Sequence, residues 1–398
     1  MSSASPLRVL PLGFKASGIP AKIKKSAKKD LALFYSLYPC TASAMLTSNQ
    51  VKAAPLEVSR QHLKAGKVRA LIVNSGNANC MTGKQGVRDA YAMAKGVADE
   101  LSLKKEEVLV SSTGIIGRPL PMKKIKAAIP LLVQSLSSRG LRDAAEAMMT
   151  TDRFRKVVVK KFKLGQACVT ISGVAKGAGM IAPKMKSATM LAYCVTDALI
   201  EKSSLATALQ EAVDASFHSI TIDNCMSTND MVVAMANGQA KNKPIKRNSK
   251  EASIFTKVLK ELCLELAKMI VRDAEGATKF IEIRVKGAAH EAEAKALAFS
   301  VANSNLFKCA MFGNDPNWGR IAAALGSVPS SLQWEKLDIY LNKRAVFKNG
   351  RPASFKDNRF LKGRSVLVDI DLKRGSSGAC VYTSDLSYEY VRINAEYN

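Results

Sequence analysis

Residues 176–197 read KGAGMIAPKMKSATMLAYCVTD. Gly177 and Gly179 open a turn that runs through Pro183 into a polar bridge. Ala188-Thr189 follows, and an apolar run from Met190 to Val195 comes next. Turn residues ahead of such a run predict a strand that ends near Thr196. A small residue before a hydroxyl residue, between a turn and a strand, suits a chain that cuts its own backbone. Thr189 Oγ attacks the Ala188 carbonyl, the acyl group moves from nitrogen to oxygen, and hydrolysis leaves Thr189 as a new N-terminus. The freed α-amine has a reference pKa of roughly 7.7–8, against about 10.4 for lysine. It can then act as general base for its own hydroxyl near neutral pH, with no histidine. On the dipeptide alone, the start of a buried strand is the plainer reading.

The same stretch imitates a dinucleotide fingerprint, because Gly177-x-Gly179-x-x-Ala182 precedes Asp197 by about the usual interval. That motif needs a helix starting near Gly179. Pro183 and the β-type run leave the helix nowhere to go, so the reading is set aside.

Working outward, Val169–Ile171 is the strand that enters the stretch, and Lys156–Lys163 is an alternating basic strand preceded by MMTTD at 148–152. Further upstream, Leu31–Tyr38 and Ala70–Val73 are strand-like, and the second leads into a turn, NSGNAN at 74–79. A helix is predicted from about Val87 to Leu101, with Val87, Tyr91, Ala94, Ala98 and Leu101 on one face. The strand Val108–Val110 enters SSTGIIG at 111–117, read as a strand-to-helix turn. A helix over 123–136 follows, with Ile125, Ile129, Leu132 and Leu136 inward and Pro130 bending or breaking it. Downstream, Ser204 can cap a helix carrying Leu205, Leu209, Val213 and Phe217. Residues 241–250 form an exposed loop and about 251–272 a long helix. From about Phe280 the pattern is alternating strands with one helix, which places a soft domain boundary there.

A chain of 398 residues, 47% apolar and 23% charged, is long enough for a large core and two domains of ordinary soluble character. Its net charge of +27 favours anionic partners. The basic clusters at 22–29, 156–163 and 241–250 are dispersed, and an aromatic content of 6% makes no stacking platform. The basicity therefore reads as a solvated surface, and nucleic acid is not expected as a partner. Eight cysteines without a CxxC pair, in a chain without a secretion signal, predict neither a zinc site nor a disulfide framework; Cys194 and Cys263 read as buried thiols. Three scattered histidines and the absence of HExxH or GxSxG argue against a metal site or a histidine triad. No window reaches the ~18–20 apolar residues of a membrane span, so a cytoplasmic location is expected.

Several pieces could carry chemistry. Thr113 and Gly114 in STGIIG could make an oxyanion hole, or merely cap a helix. Lys176 could hold a carboxylate or depress a nearby amine, or be a surface lysine. Thr150 could bind substrate or cap a helix. Glu275 in the tight turn DAEGATK could receive a cationic group, or be a solvated turn carboxylate. FGNDPNWGR at 312–320 packs turn residues densely enough for a shaped functional loop.

Together with GIPAKIKKSAKKDLAL, VKAAPLEVSRQHL, SSTGIIGRPLPM, KGAGMIAP, SATML, STND, RDAEGATKF, VANSNLFKCAMFGNDPNWGRI and the terminal YVRINAEY, these blocks resemble, nearly end to end, the bacterial-type ornithine acetyltransferase family, also called glutamate N-acetyltransferase. The resemblance implies an α/β fold, an α+β layered sandwich of the self-processing type, with a smaller C-terminal α+β domain. It implies an α-chain 1–188 carrying the oxyanion hole and substrate-binding residues, and a β-chain whose part 189–282 bears the nucleophile and whose part 283–398 is a C-terminal domain. It implies cleavage between Ala188 and Thr189, then ping-pong acetyl transfer from N2-acetyl-L-ornithine to L-glutamate through an acetyl ester on Thr189. Thr113 and Gly114 would stabilise the oxyanion, and Thr150, Lys176, Thr189, Glu275 and Asn394 would contact substrate. No cofactor or metal is implied, acetyl-CoA being a possible alternative donor, and two copies of each chain would form a heterotetramer. This chain departs from the family where it has PKMKSAT at 183–189 for Pro-Asn-Met-Ala-Thr and Asn224-Cys225-Met226 for Gly-Asp-Thr; it ends at Asn398, about one residue before the family's terminal Thr/Ser contact. Two further readings remain: an amidase or aminopeptidase of the same fold, and an unprocessed family member that binds polyanions through its basic surface.

Overall fold

A computed structural model describes residues 9–182, 190–354 and 357–396. They form two compact units, one within 9–177, 190–218 and 226–270, the other within 178–182, 219–225 and 271–396.

The first unit contains strands β1 (Phe14–Ile19) and β2 (Leu31–Leu46), helix α1 (Ala54–Ala65), β3 (Val68–Asn77), α2 (Gly83–Leu101), β4 (Val108–Ile115), α3 (Met122–Gln134) and α4 (Leu141–Met148). It continues with β5 (Lys156–Leu164), β6 (Ala167–Lys176), β7 (Leu191–Thr196), α5 (Lys202–Asp214), β8 (Met231–Ala236) and α6 (Lys250–Arg272). The strands make one sheet, ordered β4-β3-β2-β8-β7-β6-β5, with β1 paired to β2. Sixteen residues long, β2 pairs with β3 through its first half and with β8 through its second. Strand side chains alternate between two cores, as a period of two requires. Ala70, Ile72, Val108 and Val110 face a core with Ala90, Met93, Ala94 and Val97 of α2 and Ile125, Ile129 and Leu132 of α3. Leu71, Val73 and Leu109 face the other way, onto Leu141, Ala144 and Met148 of α4 and Tyr193 of β7. The product is a layered α/β arrangement.

The second unit carries β9 (Phe280–Ala288), α7 (Glu291–Ala302), α8 (Asn305–Phe312), α9 (Trp318–Gly326), β10 (Asp338–Leu341), β11 (Arg344–Lys348), β12 (Arg351–Pro352), β13 (Ser365–Asp371), β14 (Ser377–Ser384) and α10 (Tyr388–Ala395). Its mixed sheet runs β12-β11-β10-β13-β9-β14, with β13 and β9 parallel. Ile281, Ile283, Val368 and Val381 bury their side chains with Leu297, Val301 and Leu325 of the helices. None of the helices among the described residues is long and apolar enough to cross a membrane.

Several local expectations are corrected. NSGNAN and SSTGIIG do not begin as turns. β3 runs to Asn77 and β4 to Ile115, because parallel pairing of Asn74 with Ser112 and Ser75 with Thr113 carries both strands forward. The inward face of α2 is Ala90, Met93, Ala94, Val97 and Ala98, while Val87, Tyr91 and Leu101 are half-buried. Helix α3 continues through Pro130, and Leu136 lies beyond its end, half-buried. Ser204 is buried inside the first turn of α5, whose N-cap is Glu201, and Phe217 falls in a separate 3-10 turn. After Phe280 the described residues hold four α-helices rather than one. The segment FGNDPNWGR is the end of α8, a five-residue turn and the start of α9. In that turn Asn314 sits in the left-handed region and accepts from the buried Lys279 ammonium at 2.7 Å. Lys279 Nζ also donates to the carbonyls of Leu361 and Gly363, so the turn has a structural explanation.

Candidate active site

In the first unit the polar side chains gather where β3, β4 and β6 end. Strand β6 delivers Lys176, which is 8% exposed. Its ammonium donates to Thr150 Oγ1 at 2.8 Å and to Thr113 Oγ1 at 3.3 Å. Three of the residues singled out in the sequence thus meet on one ammonium group.

Asp152 holds that arrangement. One carboxylate oxygen accepts from Lys156 Nζ at 2.6 Å and from the Gly177 N–H at 2.7 Å; the other accepts from the Thr150 N–H at 2.9 Å. The side chains of Asp152 and Lys156 are both 0% exposed. Burial pushes the Asp152 carboxyl up, but the charges of Lys156 and Lys176 and the Gly177 amide outweigh it and hold the group well below the usual carboxylate range. Neither residue was legible as part of a site. Lys156 looked like one more lysine of a solvated strand, yet it is fully buried opposite Ala175. Asp152 stands two residues beyond Thr150, but nothing in MMTTD says which polar group is buried.

Lys24 adds a further cation. The loop that carries it is fixed by Asp30, which accepts from the backbone N–H groups of Ala21, Ile23 and Lys24. Lys24 Nζ donates to the carbonyls of Met149 at 2.7 Å and Lys29 at 3.0 Å. Burial lowers its ammonium to about 8 against the opposing pull of Asp30, and the neighbouring Lys176 pushes the same way as burial.

Gly114 lies beside Gly76 in the β3–β4 ladder with a φ of +136°, where side chains are strained. A Cβ there would stand 2.3 Å from the Gly76 carbonyl carbon and 2.4 Å from the Asn77 nitrogen, both backbone atoms that cannot yield. Gly114→Ala is therefore expected to destabilise the protein by about 1–3 kcal/mol, read as a lower midpoint in urea unfolding. The ladder's end is braced by side-chain amides: Asn77 Nδ2 donates to the carbonyls of Arg118 and Pro119, and Ser112 Oγ donates to Asn74 Oδ1 at 2.5 Å.

In the second unit, Glu275 and Asn394 come together: Asn394 Nδ2 on α10 donates to Glu275 Oε2 at 2.8 Å. The Glu275 N–H donates to the Ala178 carbonyl at 2.9 Å, and its carboxylate lies so close to Gly179 that a Cβ there would stand 2.3 Å from Oε2. Gly179 is needed for that approach, not to start a helix. Residues 180 and 181 are held by Asp223, whose carboxylate accepts the N–H groups of Met180 at 2.6 Å and Ile181 at 2.8 Å. Asp223 is another residue that the sequence did not flag. Ala188 and Thr189 lie outside the described residues. Among the described residues, no three His, Cys, Asp or Glu side chains gather as metal ligands.

Chemically, the first cluster offers a buried ammonium with two threonine hydroxyls, suited to a carboxylate or a developing oxyanion. The second offers a carboxylate steadied by an amide, suited to a cation.

The family model that matches this chain is that of the ArgJ family, over residues 15–398. The arginine biosynthesis bifunctional protein ArgJ of Caldanaerobacter subterraneus subsp. tengcongensis is 45% identical over 395 residues, covering 98% of this chain and 97% of its own. The protein of the same name from Bacillus subtilis is 42% identical, covering 97% and 95%. A solved chain of Mycobacterium tuberculosis ornithine acetyltransferase, complexed with ornithine, is 40% identical with a TM-score of 0.39, covering 44% of this chain and 94% of its own. With a matching family model and curated relatives that both span nearly its whole length, the chain belongs to the ArgJ family.

Proposed function

We propose that the protein is a self-cleaving acetyltransferase of arginine biosynthesis, moving the acetyl group from N2-acetyl-L-ornithine to L-glutamate. The relatives' shared name supports the pathway. The observation that carries the chemistry is Lys176 hydrogen-bonded to both Thr113 and Thr150 beside Gly114, whose positive φ only glycine adopts without strain.

In this reading, cleavage between Ala188 and Thr189 frees the Thr189 α-amine, which takes the hydroxyl proton as Oγ attacks the acetyl carbonyl. Charge developing on the carbonyl oxygen is met by the Gly114 N–H and the Thr113 hydroxyl, which Lys176 polarises. The C–N bond breaks, the proton passes to the departing amine, and ornithine leaves an acetyl ester on Thr189. The neutral amine of glutamate attacks that ester, its proton returns through the same base, and N-acetylglutamate departs. Lys176 and Thr150 suit the amino-acid carboxylate, and Glu275, steadied by Asn394, suits the ornithine side-chain ammonium. Acetyl-CoA would acylate the same hydroxyl, a second donor that fits the word bifunctional in the relatives' names. The processed chains would assemble two of each in the cytoplasm.

Incubation with N2-acetyl-ornithine, with and without glutamate, tests the transfer. Glutamate-dependent N-acetylglutamate is expected, and the fragment beginning at Thr189 should gain one acetyl group by intact mass. Free acetate released regardless of glutamate would make the enzyme a hydrolase instead. The rate should climb with pH through the reference range of an α-amine, roughly 7.7–8, because only the neutral amine accepts the proton.

A further inference from the structure

The block STND at 227–230 has no part in the chemistry above, yet its asparagine reaches β4, the strand that carries Thr113 and Gly114. Asn229 is 6% exposed. Its Nδ2 donates to two backbone carbonyls, Ala78 at 2.6 Å and Ser112 at 2.8 Å. Its Oδ1 accepts from the Thr228 hydroxyl at 2.6 Å, which fixes which way the amide faces. The turn is anchored in its own right: the Thr228 carbonyl accepts from the Ala53 N–H, and the Asp230 carbonyl from the Thr47 N–H, both at 3.0 Å.

We infer that Asn229 is a positioning residue for the oxyanion donors. The Ser112 carbonyl belongs to the same rigid peptide plane as the Thr113 N–H, so gripping it sets the rotation of that plane and the direction in which Thr113 and Gly114 project. Among the described residues β4 is the edge strand of its sheet, with β3 as its one strand neighbour. Asn229 supplies a side-chain constraint in addition to the pairing with β3. The carbonyl of Ala78, gripped by the same amide, follows the end of β3, and the Ala78 N–H donates to the Ile115 carbonyl at 2.9 Å. One side chain thereby ties both sides of the Gly76–Gly114 contact to the turn that starts β8. Donors act on the transition state only when aimed in advance. Misaiming them lowers kcat, whereas substrate affinity rests on other groups.

The inference rests on the proposed oxyanion role of Thr113 and Gly114, and a double-mutant cycle separates the two. Steady-state kinetics of acetyl transfer are measured on Asn229→Ala, Thr113→Ala and the double variant, each first confirmed by intact mass to be processed like the parent. Removing an oxyanion donor outright costs on the order of 10²–10³ in rate. Misaiming it through Asn229→Ala should cost about 10–100-fold in kcat, with KM for N2-acetyl-ornithine little changed. The double variant should be slower than Thr113→Ala by less than the factor Asn229→Ala costs alone, because the two share the Thr113 donor and only the Gly114 N–H is left to be misaimed. If Asn229→Ala does not fold, Thr228→Val removes only the orienting hydroxyl and should give a smaller loss confined to kcat. Unchanged kcat in the Asn229 or Thr228 variant, or losses that multiply in the cycle, would overturn the inference and leave the oxyanion role standing. A Thr113→Ala enzyme with the parent kcat would overturn both.

Discussion

Thr189→Ala should yield a single uncut chain of 42.9 kDa with no measurable acetyl transfer, where the parent is expected to give two fragments, 1–188 and 189–398. The expectation rests on one hydroxyl serving twice. In the proposed mechanism it first carries the acyl end of Ala188 and later the acetyl group, so its removal should stop both steps at their first bond. Alanine cannot form the ester, and without cleavage the residue-189 nitrogen remains an amide with no basic lone pair. Thr189→Ser keeps the hydroxyl and should still be cut. The readouts are intact mass under denaturing conditions, N-terminal sequencing of the smaller bands and a glutamate-dependent transfer assay. An uncut parent with full activity, or residual transfer by the alanine variant, would remove Thr189 from the mechanism.

Asp152→Ala should be strongly destabilising. It strands Lys156, whose side chain is 0% exposed, without its carboxylate. Breaking one side of a buried pair costs about 3–5 kcal/mol. The amides of Gly177 and Thr150 lose their acceptor too, at about 1–3 kcal/mol for each that stays buried and unmet. A fall in Tm of roughly 10 °C or more follows. Adding Lys156→Met removes the buried charge that had faced Asp152 and should restore part of the loss. The pH dependence follows from the depressed carboxyl. Its contribution is complete above the unfolded value of about 3.9 and drains away as pH falls below that toward the lower folded value. The parent should therefore lose Tm on acidification below about pH 4 more steeply than Asp152→Asn. Identical slopes would deny Asp152 its role as the buried anion.

The candidate site residues stood out in the sequence only in combination, since each alone had a plain structural reading. Lys176 beside paired glycines, Thr113 before a glycine and Glu275 in a tight turn could each be an ordinary surface, capping or turn residue. The structure brings Lys176, Thr113 and Thr150 onto one ammonium, and Glu275 and Asn394 onto one hydrogen bond. The supporting groups were hidden for physical reasons. A buried Lys156 differs from an exposed Lys161 only by the strand's position under its neighbours, which no local pattern records. The turn expected at SSTGIIG failed because parallel pairing with β3, distant in sequence, overrode the local preference of serine and glycine. On α2 the stripe read from the sequence shares Ala94 and Ala98 with the buried face. Its larger members Val87, Tyr91 and Leu101 pack at the margin of that core, and Ala90, Met93 and Val97 take the centre. The dense turn residues of FGNDPNWGR masked the short helices on either side.

The large sheet interleaves early and late parts of the chain. β2, near the start, is bonded to β8, and β6 lies against β7, with Lys176 facing Leu191 and Ile171 facing Thr196. A nick anywhere between these two strands would give the molecule two more ends without making it two bodies. The pieces would share one continuous ladder, travel together through a native column and part only in denaturant, and neither would be a free-standing product of the cut.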